Sequence, residues 1–134
     1  MKKTCNAFFF SFIFIEATII SNITPEMDLY KEELFGPVAS LYVVKNEEEA
    51  IQLANATEFG LGGSIFSKDL ERAKNIANQI DSGMIFINHP TKSSTDMPFG
   101  GTKRSGYGRE LSVLGIEEFV NKKLIRVISE KEKL

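Results

Sequence analysis

The chain offers chemistry one thiol, Cys5, and one imidazole, His89. A cysteine nucleophile needs its thiolate held in an electropositive pocket with a base in reach. Cys5 stands beside an apolar run near the chain start, and the surrounding residues supply no such setting. A lone Cys and a lone His far apart make no metal site. One Cys also makes no internal disulfide, so nothing asks for an oxidising compartment. His89 reads as a loop residue rather than a base. No catalytic residue and no metal ligand are assigned on these grounds. Two other stretches hold useful side chains. Lys31-Glu32-Glu33-Leu34-Phe35 places carboxylates and an aromatic ring just before Gly36-Pro37. On pattern alone, Glu33 is a surface charge on a short helix. Pro98 to Leu111, P-F-G-G-T-K-R-S-G-Y-G-R-E-L, is rich in glycine. It is not a phosphate cradle, because it has no G-x-G-x-x-G and no strand leads directly into it. Gly100, Gly101, Gly106 and Gly108 are expected to serve backbone geometry. Arg109 and Glu110 are expected to hold this loop to the next helix.

The elements that position these stretches alternate. Asn22 to Pro25 is turn-prone, and Tyr30 to Leu34 is charged and amphipathic up to Gly36-Pro37. Ala39 to Val44 reads as a buried strand. Asn46 is a helix N-cap with Glu49 three residues on, and Ala50, Ile51 and Ala54 give an apolar face. Ser64-Ile65-Phe66 is a short strand after Gly62-Gly63. Asp69 caps a second helix, in which Leu70, Ala73, Ile76, Ala77 and Ile80 share one face. Met84 to Ile87 is another apolar strand. The expectation is three strands within 39–88 joined by helices at 46–56 and 69–80, an α/β arrangement with a largely parallel sheet. Periodicity is lost from His89 to Gly108, a segment long enough to be a functional loop. Leu111 to Val120 is helical in pattern, and Leu124 to Ile128 is a predicted final strand.

Composition narrows the class. With 134 residues, 43% apolar and 25% charged, the chain suits one globular core. The net charge of −2 is spread without a basic stripe, which argues against nucleic acid as a partner. Lys122, Lys123 and Arg126 alternate with acids near a solvated terminus. Residues 1–16 differ from the rest. Lys2 and Lys3 precede the apolar run Ala7 to Ile15, which Glu16 ends. A basic start and a short apolar run mimic a secretory signal. No small-x-small cleavage site follows, and the run is too short to cross a bilayer. It reads better as a buried strand or a poorly packed aromatic tail. The expected location is the cytoplasm, with no membrane partner.

Four segments, in this order and spacing, resemble the aldehyde dehydrogenase superfamily. They are Ala17-Thr18-Ile19-Ile20 with Asn22 to Met27, then K-E-E-L-F-G-P-V from Lys31 to Val38, then Ile85-Phe86-Ile87-Asn88, then Pro98 to Leu111. Asn88-His89-Pro90 and Ser94-Thr95-Asp96 make the loop most similar to succinate-semialdehyde dehydrogenases. The resemblance covers 17–128 and implies the C-terminal portion of a catalytic domain, leaving 1–16 as an atypical segment and 129–134 as a charged tail.

The resemblance implies an aldehyde substrate, NAD or NADP as cofactor in the intact enzyme, and oxidation to the acid. In that chemistry a cysteine thiolate attacks the aldehyde, hydride passes to the nicotinamide, and water releases the product. The family's nucleophile, general-base glutamate, oxyanion-hole asparagine and Rossmann domain precede the K-E-E-L-F-G-P-V segment and have no counterparts here. Cys5 is not at the nucleophile position. The chain alone is therefore expected to bind no cofactor and to be inactive. Glu33 matches the glutamate that accepts hydrogen bonds from the nicotinamide ribose, and a carboxylate accepts two hydroxyls at once. Phe35 matches the aromatic residue beside the nicotinamide. Phe99 matches an aromatic at the aldehyde-entry tunnel. Ser94 stands where a hydroxyl can meet a substrate's distal carboxylate, although a loop serine commonly caps its own turn.

The main reading is thus a piece of an aldehyde-oxidising enzyme that associates with itself or with other aldehyde dehydrogenase segments. The alternative is a non-catalytic interaction module pairing through its C-terminal strand. A secreted small domain would rest on the signal-like start alone.

Overall fold

The computed structural model describes residues 14–129. Cys5, the apolar run as far as Ile13, and the charged tail from Glu130 lie outside them. The chain divides into two compact units, one up to Lys45 and one from Asn46 onward.

The first unit is built on two parallel strands, β1 (Thr18–Ser21) and β2 (Val38–Leu41), with Thr18 opposite Val38 and Ser21 opposite Leu41. The Thr18 amide donates to Pro37 O at 2.9 Å, which sets the register. Between the strands lie a turn, in which the Met27 amide donates to Thr24 O at 3.0 Å, and one 3₁₀ turn at Asp28–Tyr30. The Tyr30 ring meets Tyr42 edge-on, with centroids 5.9 Å apart. The helical stretch expected at Tyr30 to Leu34 is thus displaced: the turn precedes it, and Glu32 to Phe35 have no regular structure. The aromatic contact of Tyr30 fixes the one helical turn, and the charged residues after it have no such contact. The strand expected at 39–44 starts one residue earlier and ends at Leu41. It is exposed rather than buried, and Val43 is 92% exposed. An apolar run reads as buried because parallel strands normally have both faces covered. Here β1 is its sole partner within the described residues.

The second unit opens with α1 (Glu47–Asn55). The Asn46 side chain accepts from the Glu49 amide at 2.8 Å, and three acids fill the first turn, where the helix dipole favours them. Two short strands follow, β3 (Phe59–Gly60) and β4 (Gly62–Ile65). Helix α2 (Leu70–Ala77) is capped by Asp69, which accepts from the Arg72 amide at 3.0 Å. It ends three residues before the expected 80. There the amides of Gln79 and Ile80 donate three residues back, to Ile76 and Ala77, and tighten the last turn. Its apolar face buries Ala73 completely and half-buries Ile76, Ala77 and Ile80, whereas Leu70 stays exposed. Strand β5 (Met84–Ile87) then pairs parallel with β4, Gly62 opposite Met84 and Ile65 opposite Ile87. This β4–α2–β5 crossover is the α/β unit anticipated from the alternation. Two of the three strand pairs are parallel, but the strands of 38–87 do not join into one sheet.

Beyond β5 the chain forms β6 (Thr102–Lys103), antiparallel to β3, and a short helix, α3 (Ser112–Glu117). The helix is shorter than the expected 111–120. Val113 and Ile116 are exposed, so little apolar burial supports a longer one. The strand expected at Leu124 to Ile128 does not form. A strand needs an edge to pair with, and this segment pairs with none of the strands among the described residues. Leu124 and Val127 are consequently exposed. Among the described residues Ala73 is the one buried apolar residue, and no large side chain is fully enclosed.

Candidate functional site

The two stretches singled out for their chemistry fall in different units. Glu33 and Phe35 belong to the first. Gly36 turns the backbone tightly: its amide donates to Leu34 O at 3.1 Å, and Val38 donates to Gly36 O at 2.8 Å. The turn leaves Glu33 exposed and Phe35 93% exposed. No hydrogen bond of the described residues engages the Glu33 carboxylate, so both its oxygens are open to hydroxyl donors.

The second stretch is the loop after β5. Asn88 takes a left-handed conformation, φ 55°. Its side chain donates to Ser67 O and accepts from the Ser67 amide, both at 2.8 Å. Its own amide donates to Ile65 O at 2.7 Å, so the exit from β5 is fastened to the end of β4. His89 is exposed, with Nδ1 2.6 Å from Pro90 O. The Ser94 hydroxyl donates to the Asp96 carboxylate, and the Met97 amide donates to Ser94 O at 3.2 Å. That hydroxyl holds the Asp96 carboxyl below the usual carboxylate range, helped by the backbone and by Lys92. Ser94 thus closes its own turn.

Phe99 is half-buried, and its backbone exchanges two hydrogen bonds with Glu110, 2.8 and 2.6 Å long. The pair closes residues 99–110 into a ring. Arg109 crosses it, its guanidinium donating to Gly101 O at 3.0 Å and Gly108 O at 2.6 Å. The tie to α3 expected of Arg109 and Glu110 is made by the Arg109 backbone amide, which donates to Glu118 Oε1 at 3.3 Å, whereas the Arg109 side chain and the Glu110 backbone bond within the loop. Gly106 and Gly108 have φ of 130° and 70°, where a side chain would be strained.

Several groups that hold this loop were missed in the sequence. Thr102, Lys103 and Ser105 reach back to residues 55–60 and to Asp81. Their signal was present, as the polar T-K-R-S run inside a glycine loop. Gly83, just ahead of β5, packs against the same loop. In the structure a Cβ there would overlap the Gly100 oxygen and lie 2.6 Å from its carbonyl carbon. Both neighbours are backbone and cannot turn away. Gly83→Ala is therefore expected to cost about 1–3 kcal/mol through overpacking. Limited proteolysis should show faster cleavage at Lys92 and Arg104, whereas an unchanged cleavage pattern would refute the close approach.

Among the described residues no group of His, Cys, Asp and Glu is placed to hold a metal ion. None of their helices is long and apolar enough to cross a membrane.

A parallel β–α–β unit followed by a pinned, glycine-rich loop is a piece of an α/β domain. The aldehyde dehydrogenase family model matches residues 11–125, and the chain belongs to that family. It is 55% identical over 120 residues to the succinate-semialdehyde dehydrogenase [NADP(+)] of Deinococcus radiodurans, covering 90% of this chain and 25% of that protein. It is 47% identical over 112 residues to the chloroplastic betaine aldehyde dehydrogenase of Atriplex hortensis, covering 84% and 22%. Its fold superposes on the succinic semialdehyde dehydrogenase from Streptococcus pyogenes, solved with NADP+, with a TM-score of 0.79 and 50% identity over 83% of this chain and 24% of that one. The chain thus spans about a quarter of the length of the relatives it matches.

Proposed function

We propose that this chain supplies the C-terminal part of an NAD(P)-dependent aldehyde-oxidising site, of the kind that acts on succinate semialdehyde. The observation that carries the reading is the open Glu33 carboxylate with the bare Phe35 ring, presented by the Gly36 turn. In this reading Glu33 accepts the hydroxyls of the nicotinamide ribose and Phe35 packs beside the ring. The cofactor supplies the hydride acceptor. Phe99 lines the path of the aldehyde. Ser94 meets a distal carboxylate by turning its proton away from Asp96, whose own charge opposes that contact. The chain alone lacks the nucleophile and the dinucleotide fold, binds no cofactor and does not turn over. Its proposed setting is the cytoplasm, within an assembly of aldehyde dehydrogenase segments.

A chimera tests this. The last quarter of the D. radiodurans enzyme is replaced by residues 17–134 of this chain. The chimera is expected to reduce NADP+ with succinate semialdehyde. Glu33→Gln is expected to lower kcat/KM for the cofactor roughly 10- to 100-fold, the size of a hydrogen bond to a charged acceptor. A folded chimera indifferent to Glu33→Gln would overturn the role given to that residue.

The alternative, a non-catalytic module pairing through its tail, draws on the exposure of Leu124 and Val127. In that case the chimera is inactive, while the chain captures a strand edge.

A further inference from the structure

We infer that Lys103 is a positioning residue: its ammonium group fixes the loop that carries Phe99 to the end of α1. The inference rests on the reading of Phe99 as part of the aldehyde's path. Lys103 adopts a left-handed conformation, φ 53°, in which a non-glycine residue is strained. The strained backbone goes with an inward-reaching side chain. Nζ donates to Asn55 O and Thr57 O, both at 3.1 Å, and lies 3.7 Å from an Asp81 carboxylate oxygen. The side chain is only 22% exposed.

The location explains the contact. Asn55 is the last residue of α1, where carbonyls lack helical partners and the dipole favours a cation. The Asn55 side chain donates to Gln79 O and accepts from the Asp81 amide, both at 2.8 Å. Lys103 therefore sits where the ends of both helices meet. Its neighbours reinforce the junction. Thr102 Oγ1 donates to Asp81 O at 3.2 Å, and Ser105 Oγ accepts from the Gly60 amide at 3.0 Å. Lys103 is opposite Phe59 in the β3–β6 pair, and the Phe99–Glu110 pair closes the same loop. A cation clamped on two carbonyls thus transmits the position of a rigid helix end to Phe99. A solvated surface lysine would not.

Hydrogen exchange on the full chain, read by mass spectrometry, tests the inference. Wild type, Lys103→Met and Lys103→Arg are compared over 99–110 and 84–87. Lys103→Met is expected to speed exchange at the Phe99 and Glu110 amides roughly tenfold or more, with 84–87 unchanged. Lys103→Arg keeps the charge and the donors, and is expected to restore most of the protection. The inference is overturned if Lys103→Met leaves 99–110 at the wild-type rate. It is equally overturned if every segment accelerates together, the mark of a purely global stabiliser. Exchange is read without substrate, so a failure here leaves the Phe99 reading intact. An inactive chimera would remove the aldehyde's path from the reading, and the fastening of 99–110 by Lys103 would still be decided by exchange alone.

Discussion

Mixed with an aldehyde and NAD+ or NADP+, the isolated chain is expected to give no cofactor reduction above the blank. The loss is large because several contributions vanish together. A positioned acid–base group is commonly worth about 10²–10⁴ in rate. Covalent catalysis needs a thiolate beside a base, and the one thiol of the chain, Cys5, lies beside the apolar run near the chain start. Among the described residues, His89 is exposed and bonded to its own loop. Absorbance at 340 nm checks the expectation. Reduction that requires this chain and persists in Cys5→Ser would refute it. Reduction that disappears in Cys5→Ser would show that the terminal thiol had become the nucleophile.

The second large effect concerns association. The isolated chain is expected to be an oligomer or an aggregate, and removing residues 1–15 is expected to improve solubility more than any single substitution. A folded monomer of this size ordinarily encloses several large side chains, yet the described residues enclose none. Phe35, Val43, Phe119 and Leu124 are almost fully exposed. The paired strands β4 and β5 leave both outer edges of their sheet unpaired among the described residues. Apolar side chains beside unpaired edges recruit other strands. The sequence from Phe8 to Ile15 adds five phenylalanines and two isoleucines to that apolar content. Size-exclusion chromatography with light scattering measures the outcome. A sharp monomer peak near 15.0 kDa across a wide concentration range would defeat the expectation.

What could be read from the sequence followed the range of the interactions. The starts of α1 and α2 were legible because each cap is local: Asn46 meets the amide of Glu49, and Asp69 that of Arg72. The apolar face of α2 was legible for the same reason. The extent of β2 and the absent strand at 124–128 were not, because a strand depends on an edge that lies elsewhere. Apolar runs announced burial, and the covering layers are not among the described residues. The roles proposed for Glu33, Phe35 and Phe99 were reached through family motifs rather than through pattern. The Ser94–Asp96 bond, between residues two apart, lay within reach of turn chemistry. The clamp of Lys103 did not, since its carbonyl partners lie 46 and 48 residues away.

The pairing of β3 with β6 also orders events during synthesis. Gly60 and Thr102 are separated by 42 residues, so β3 leaves the ribosome long before its partner. At about 5–20 residues per second, β6 follows roughly 2–8 s later. In that interval α1 can form from local contacts alone, and β4 can meet β5 through the short α2 crossover. The end of α1 waits for its cation, and the glycine loop docks onto parts already in place.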